Sequence, residues 1–268
     1  MIRPLAEATD PAAFGGKAVQ LGAAIRAGLP VPVGFALSFG QVHATTRGNA
    51  TALAALQAAC RDGRPWAVRS SAIGEDSVAA SFAGTHRSVL GVCGFAAVVE
   101  AIREVEASGR SSAARAYRAR LGLEPTSRMA VVVQELIDAD VAGVLFTRNP
   151  VTGAAERVIE ASWGLGEAVV SGLVTPDRYR LSPTGELLER IVGEKDLQIR
   201  RSSGGDPQQV LVTPELICAP CLGDGELATL HALAAACDRT FGSVDHDIEF
   251  GFRGAAVFLL QRRPITRG

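Results

Sequence analysis

Two short runs near the end of the chain, Asp247-Ile248-Glu249-Phe250 and Leu259-Leu260-Gln261-Arg262-Arg263-Pro264, flank Phe252-Arg253-Gly254-Ala255. Gly254 can take the positive φ that a tight hairpin turn needs, so the runs fold back on each other as an antiparallel ribbon. Side chains on a strand alternate faces. Gln261 and Arg263 therefore share one face and apolar Leu260 points the other way, while Glu249 shares a side with Asp247 on the preceding strand. One ribbon can thus present a carboxylate, a carboxamide oxygen and a guanidinium together. Glu and Gln oxygens suit Mg²⁺, a hard cation often held by few protein ligands plus nucleotide phosphates. A neighbouring Arg can fork onto a phosphate. A solvated ribbon with ordinary charged positions would carry the same residues, so the rest of the chain has to be read with it.

That chain is 268 residues long and 47% hydrophobic, room for one large domain or two intimate subdomains. With 27 basic against 28 acidic residues it lacks the basic excess of a non-specific nucleic-acid binder. No apolar run approaches the roughly 20 residues of a membrane span. MIRPLAEATD has no basic-then-apolar signal layout, and a cytoplasmic protein is expected. The five cysteines are odd in number and scattered, against a disulfide framework. Cys218-Ala-Pro-Cys221 is a lone CxxC without a second ligand pair; it reads as a proline-containing loop rather than a zinc site.

From the start, Phe14-Gly15-Gly16-Lys17 opens a short amphipathic helix carrying Val19, Leu21, Ala24 and Ile25. A Gly-Gly-Lys turn at a helix entrance can bring amides and an ammonium onto phosphate, although the Walker spacing is absent. Residues 41–62 read as helical. Trp66 to Ser71 reads as a strand running into a polar loop that contains Ser81-Phe82-Ala83-Gly84-Thr85, with Arg69 placed to face a phosphate or an ion-pair partner. Ser88 to Val92 is the next strand, and residues 96–121 are helical with a break at Ser108-Gly109. The β-branched run from Met129 to Ile137 reads as a strand buried on both sides, ending in Gln134-Glu135 where backbone could read an adenine edge. Further strands are expected at 142–146 and 156–160, and a helix at 224–241. Residues 200–208 are the most loop-like stretch.

Five ordered segments carry a resemblance: FGGKAVQLGAAIRAGLPVPVGFAL, AVRSSAIGEDSVAASFAG, VVVQELIDADVAGVLFTRNPVTG, EASWGLGEAVVSGLVTPDRY and DIEF…LLQRRPI. Together they resemble the nucleotide-binding domain of the phosphoenolpyruvate synthase and pyruvate phosphate dikinase family, shared by rifamycin phosphotransferases and phenylphosphate synthases. The resemblance implies an α+β ATP-grasp fold whose subdomains, about 1–125 and 126–268, clamp ATP. It implies that Lys17 and Arg69 contact the phosphates, that Gly84 and Ser88 belong to the loop covering them, and that Gln134 and Glu135 lie at adenine and ribose. It further implies that Glu249 and Gln261 hold Mg²⁺ while Arg263 stabilises the phosphoryl group in flight. Lysine, arginines and a metal are the parts phosphoryl transfer requires.

Family enzymes move the β-phosphate of ATP to a histidine on a swivelling domain and release AMP and phosphate. None of His43, His86, His231 or His246 sits in the family's Thr-x-Cys/Ser-x-Gly-His context. The expectation is an ATP-activating component of a split phosphotransferase, without swivelling domain or pyruvate barrel, serving a histidine on a separate partner and a small phenolic or alcohol acceptor. The alternatives are an excised domain of a full-length synthase and a nucleotide-binding regulatory module without turnover.

Overall fold

The computed structural model describes residues 1–60, 63–72, 87–112, 115–116, 128–202, 204–242 and 245–265. Gly84 lies outside the described residues. The chain divides into two compact units, Met1–Arg26 with Pro32–Leu136, and Ala27–Val31 with Ile137–Arg267. Each combines helices with antiparallel sheet, the α+β class expected.

In the first unit, β1 (Ile2–Pro4), β2 (Gly34–Leu37), β3 (Trp66–Ala72), β4 (Ser88–Val92) and β5 (Met129–Glu135) form a sheet in the order β1-β2-β5-β3-β4. All its pairings are antiparallel. The subdomain boundary expected near residue 125 falls instead after Leu136. The reason is that β5 is hydrogen-bonded between β2 and β3, at the centre of this sheet. As its composition predicts, β5 is buried on both faces, from Met129 to Gln134.

The described part of the stretch expected as helical over 41–62 falls into two helices, α2 (Phe39–Thr46) and α3 (Ala50–Ala59), capped by Ser38 and Asn49. With α4 (Phe95–Ser108) they cover one face, where Phe35, Leu37, Val42, Leu56, Val68, Val98, Ile102, Val131 and Val133 form the core. By alternation, Ala67, Arg69, Ser71, Ala130, Val132 and Gln134 face the other way. There α1 (Pro11–Arg26) packs on β3 and β5.

The second unit is built on β6 (Val141–Phe146), β7 (Arg157–Trp163), β8 (Asp177–Leu181), β9 (Leu187–Ile191), and the two strands of the terminal ribbon. Residues Leu197–Arg201 and Pro207–Leu211, β10 and β11, pair as a separate two-stranded ribbon. The stretch 200–208, expected as loop, is therefore strand at 200–201 and 207–208, and between them the Ser202 N–H donates to the Asp206 carbonyl at 2.8 Å. Between Arg200 and Gln208 the sequence has no branched aliphatic or aromatic side chain from which a strand pattern could be read. The ribbon strands β12 (His246–Arg253) and β13 (Ala256–Pro264) complete a sheet ordered β13-β12-β6-β7-β8-β9. Helix α5 (Asp224–Phe241) packs on β12, burying Leu227, Leu230, Leu233 and Ala234.

Candidate functional site

In the first unit the candidate residues gather around a break in α1. Gly15 has φ 76° and ψ 172°, a conformation essentially reserved for glycine, so the helix stops and restarts within the Phe-Gly-Gly-Lys segment. Ser71 clasps both halves. Its hydroxyl donates to the Phe14 carbonyl at 2.7 Å and accepts from the Ala18 amide at 3.1 Å. The restarted helix is thus capped by a side chain from another strand, which satisfies an otherwise orphaned first-turn N–H. Lys17 lies in that first turn and is only 5% exposed.

Arg69 lies two residues before Ser71, on the same face of β3, and its direct cross-strand neighbours are Ser88 on β4 and Val132 on β5. Arg69 and Ser88 therefore share the sheet face on which α1, the helix that carries Lys17, packs. Gln134 is on that face too. It is 2% exposed and its Nε2 has no hydrogen-bond partner, which fits a group reserved for a ligand or water. Glu135 is tied to Arg64 at 2.9 Å. The Glu135 and Leu136 amides are taken by the carbonyls of Val33 and Pro65, so those two donors do not read an adenine edge.

In the second unit the ribbon register places Glu249 directly opposite Gln261 and Asp247 directly opposite Arg263. All four share a face: alternation keeps Glu249 with Asp247 and Gln261 with Arg263, and a register shift brings the two pairs to the same side. A bulge between Glu249 and Phe250 makes that shift, the register passing from Gln261 opposite Glu249 to Leu259 opposite Phe250. Asp247 accepts from Arg263 Nε at 2.7 Å, and the Arg263 Nη2 is also 2.7 Å from the same oxygen. Asp247, on the right side but given no role by the sequence reading, thus fixes the guanidinium. Two oxygen-bearing side chains in direct cross-strand opposition fit a hard cation; among the described residues no group of three or more His, Cys, Asp or Glu could hold a metal.

Behind that face the ribbon is bolted to the core. Arg262, 4% exposed, donates from Nε to His246 Nδ1 at 3.0 Å and stacks on Phe241 of α5 at 4.3 Å. His246 Nε2 lies 3.4 Å from Asp238 Oδ1. Burial, then the Arg262 charge, pushes the His246 pKa down to about 4, so the ring is neutral and can accept at Nδ1.

The CxxC segment is structural. Cys218 is exposed and Cys221 buried. The Cys221 amide donates to Asp177 Oδ2 at 2.7 Å, which also accepts from Tyr179 Oη at 3.1 Å, while Asp177 Oδ1 takes the Lys195 ammonium. Burial pushes the Cys221 thiol well up, away from the thiolate a metal or redox role needs.

A family model described as the pyruvate phosphate dikinase AMP/ATP-binding domain matches residues 49–268. The chain belongs to that family. It is 43% identical over 202 residues to the probable phosphoenolpyruvate synthase of Methanothermobacter thermautotrophicus, covering 75% of this chain and 29% of that one. It is 37% identical over 290 residues to the prodigiosin synthesizing transferase PigC of Serratia marcescens, covering 96% and 32%. To the rifampicin phosphotransferase of Streptomyces sviceus it is 37% identical over 203 residues, covering 75% and 23%. This dikinase-family domain therefore spans under a third of the length of each of these relatives. No described helix is long and apolar enough to cross a membrane.

Proposed function

We propose that this dikinase-family domain, in the ATP-grasp arrangement the resemblance implies, activates Mg-ATP and hands its β-phosphate to a histidine on a swivelling partner, releasing AMP and phosphate. The partner would pass the phosphate to a small molecule, a phenol or alcohol first, in the cytoplasm. The observation that carries the reading is the cross-strand opposition of Glu249 and Gln261, with Arg263 held by Asp247 on the same face. Family membership as an AMP/ATP-binding domain supports it.

In this reading Mg-ATP is the ligand of both residue sets. Glu249 and Gln261 would hold Mg²⁺, which neutralises phosphate charge. Lys17, Arg69, Gly84 and Ser88 would bind the triphosphate, Gln134 and Glu135 the adenosine, and Arg263 would meet the charge that develops on the moving phosphoryl group. The burial of Lys17 supports its part, since a cation shielded from water acts more strongly on an anion.

The test is to mix the purified chain with ATP, Mg²⁺ and a candidate swivelling domain. AMP and phosphohistidine are expected; ADP as the sole nucleotide product would refute the assignment. The coverage figures favour a second reading, in which these residues are one domain of a longer synthase and the histidine is supplied in cis. The adjoining coding sequence separates the two.

A further inference from the structure

The six-stranded sheet has two unlike faces. One carries a buried cross-strand row, Ile248, Leu145, Ile159 and Tyr179. On the other face the corresponding row runs Gln261, Glu249, Val144, Glu160, Arg178 from β13 to β8. Three acid–arginine pairs are therefore directly opposed on this face: Asp247–Arg263 in the neighbouring row, Arg180–Glu189 between β8 and β9, and Glu160–Arg178 in the Glu249 row itself. The first two are closed, at 2.7 and 3.2 Å. The third is open: no ion pair or side-chain hydrogen bond joins Glu160 and Arg178 to each other or to any other described residue.

The neighbouring charges behave differently. Arg180, on the same face of β8, is tied to Glu156 at 2.8 Å and Glu189 at 3.2 Å. Arg178 instead keeps a buried Nε with no hydrogen-bond partner. Ser162, two residues from Glu160 on the same face of β7 and 1% exposed, keeps a buried hydroxyl without one as well. Buried donors are seldom left unused, because an unmade bond leaves the full desolvation cost of the group unrepaid. A guanidinium and a hydroxyl are donors for an anionic oxygen, and a carboxylate across the strand steadies the guanidinium without neutralising the ligand's partner.

We propose that Arg178 is a further guanidinium contact to the phosphates of the nucleotide, beside Arg69 and Arg263, with Glu160 as its cross-strand counter-charge and Ser162 as an auxiliary donor. The inference rests on the reading of Mg-ATP as ligand. Arg178 stands three strands from Glu249, about 14 Å at the usual strand spacing. A Mg²⁺ ion about 2.1 Å from its ligands, the phosphoryl group bound to it and the long Arg178 side chain together span that gap. Val144 lies between as a small, uncharged floor.

The experiment is calorimetric binding of Mg-ATP and of AMP to the intact chain and to Arg178→Gln. Loss of a charge-assisted contact to the outer phosphates weakens Mg-ATP binding about 10- to 100-fold and leaves AMP binding unchanged. Equal effects on both nucleotides, or no effect on either, overturns the inference while leaving the proposed function standing. Failure of the unsubstituted chain to bind Mg-ATP overturns both. Should Arg178→Gln not fold, Arg178→Lys reads the same ratio, because it keeps the charge and stem but loses the fork. It is expected to lower Mg-ATP affinity alone, and an unchanged ATP-to-AMP ratio in that variant also overturns the inference.

Discussion

A Cβ added to Gly15 would stand 1.9 Å from the backbone carbonyl oxygen of Ser71. Backbone cannot swing aside as a long side chain can, and the φ of 76° is itself costly for any other residue. Gly15→Ala is expected to destabilise the protein by at least about 3 kcal/mol, measured by urea denaturation. It should also abolish detectable Mg-ATP binding, because Lys17 loses the turn that carries it. Ser71→Ala removes only the clasp and strands the Ala18 amide, a loss of about 1–3 kcal/mol with weakened binding. A Gly15→Ala protein of native stability would show that the break in α1 is not required.

Glu249 and Arg263 should separate binding from transfer. Glu249→Ala takes away a cation ligand, and Mg-ATP affinity is expected to drop about 100-fold while AMP affinity holds. Arg263→Ala should keep appreciable Mg-ATP binding and lose transfer to the histidine partner about 100-fold or more, as for removal of a donor to developing charge. Asp247→Asn should follow Arg263→Ala more weakly, since it loosens the guanidinium without deleting it. Calorimetry paired with single-turnover AMP release makes the comparison. If Arg263→Ala lost all Mg-ATP binding, its role would be ground-state binding instead.

The Asp177–Lys195 pair is fully buried. Burial alone would raise the Asp177 pKa, but the Lys195 ammonium and the amides of Cys221 and Gly193 outweigh it and hold the carboxyl below its usual range. Lys195→Met leaves that carboxylate uncompensated, and a loss of about 3–5 kcal/mol in unfolding free energy is expected. The double variant Asp177→Asn, Lys195→Met should lose clearly less than the two single losses added. Simple additivity in chemical denaturation would mean the two groups are not coupled.

Stability should depend on pH through His246. Its folded pKa of about 4 lies below the ordinary 6.5, so between those values the unfolded chain binds more protons. Stability is then complete above about pH 6.5 and declines by up to roughly 3 kcal/mol as pH falls toward 4. Asp238, held above the usual carboxylate range by burial, acts in the opposite sense at the acid end. A His246→Gln variant should flatten the unfolding free energy between pH 6.5 and 4.5; an unchanged slope would place its origin elsewhere.

Much of the candidate site was legible in the sequence because strand alternation is a local rule. Gln261 could be put with Arg263, and Glu249 with Asp247, from spacing alone; the bulge that skips Leu260 decides that the two pairs face the same way. Ser71 lay in view in the Val-Arg-Ser-Ser stretch, but nothing local says that its hydroxyl caps a helix 53 residues away. Arg178 and Glu160 were invisible for the same reason. Each is an ordinary strand residue until β7 and β8 pair and put them opposite each other in the Glu249 row.

The sequence by itself determined most of the strands and helices, which side chains alternate along each strand, and which residue types stand ready for phosphate and cation. Those follow from backbone periodicity and side-chain chemistry, and both act within a few residues. Only the tertiary structure decided that β5 belongs to the first unit, that Asp247 holds Arg263 while Glu160 leaves Arg178 open, and that His246 lies neutral beneath the ribbon. Strand order, register and burial arise from contacts between residues far apart in the chain, and no local pattern encodes them.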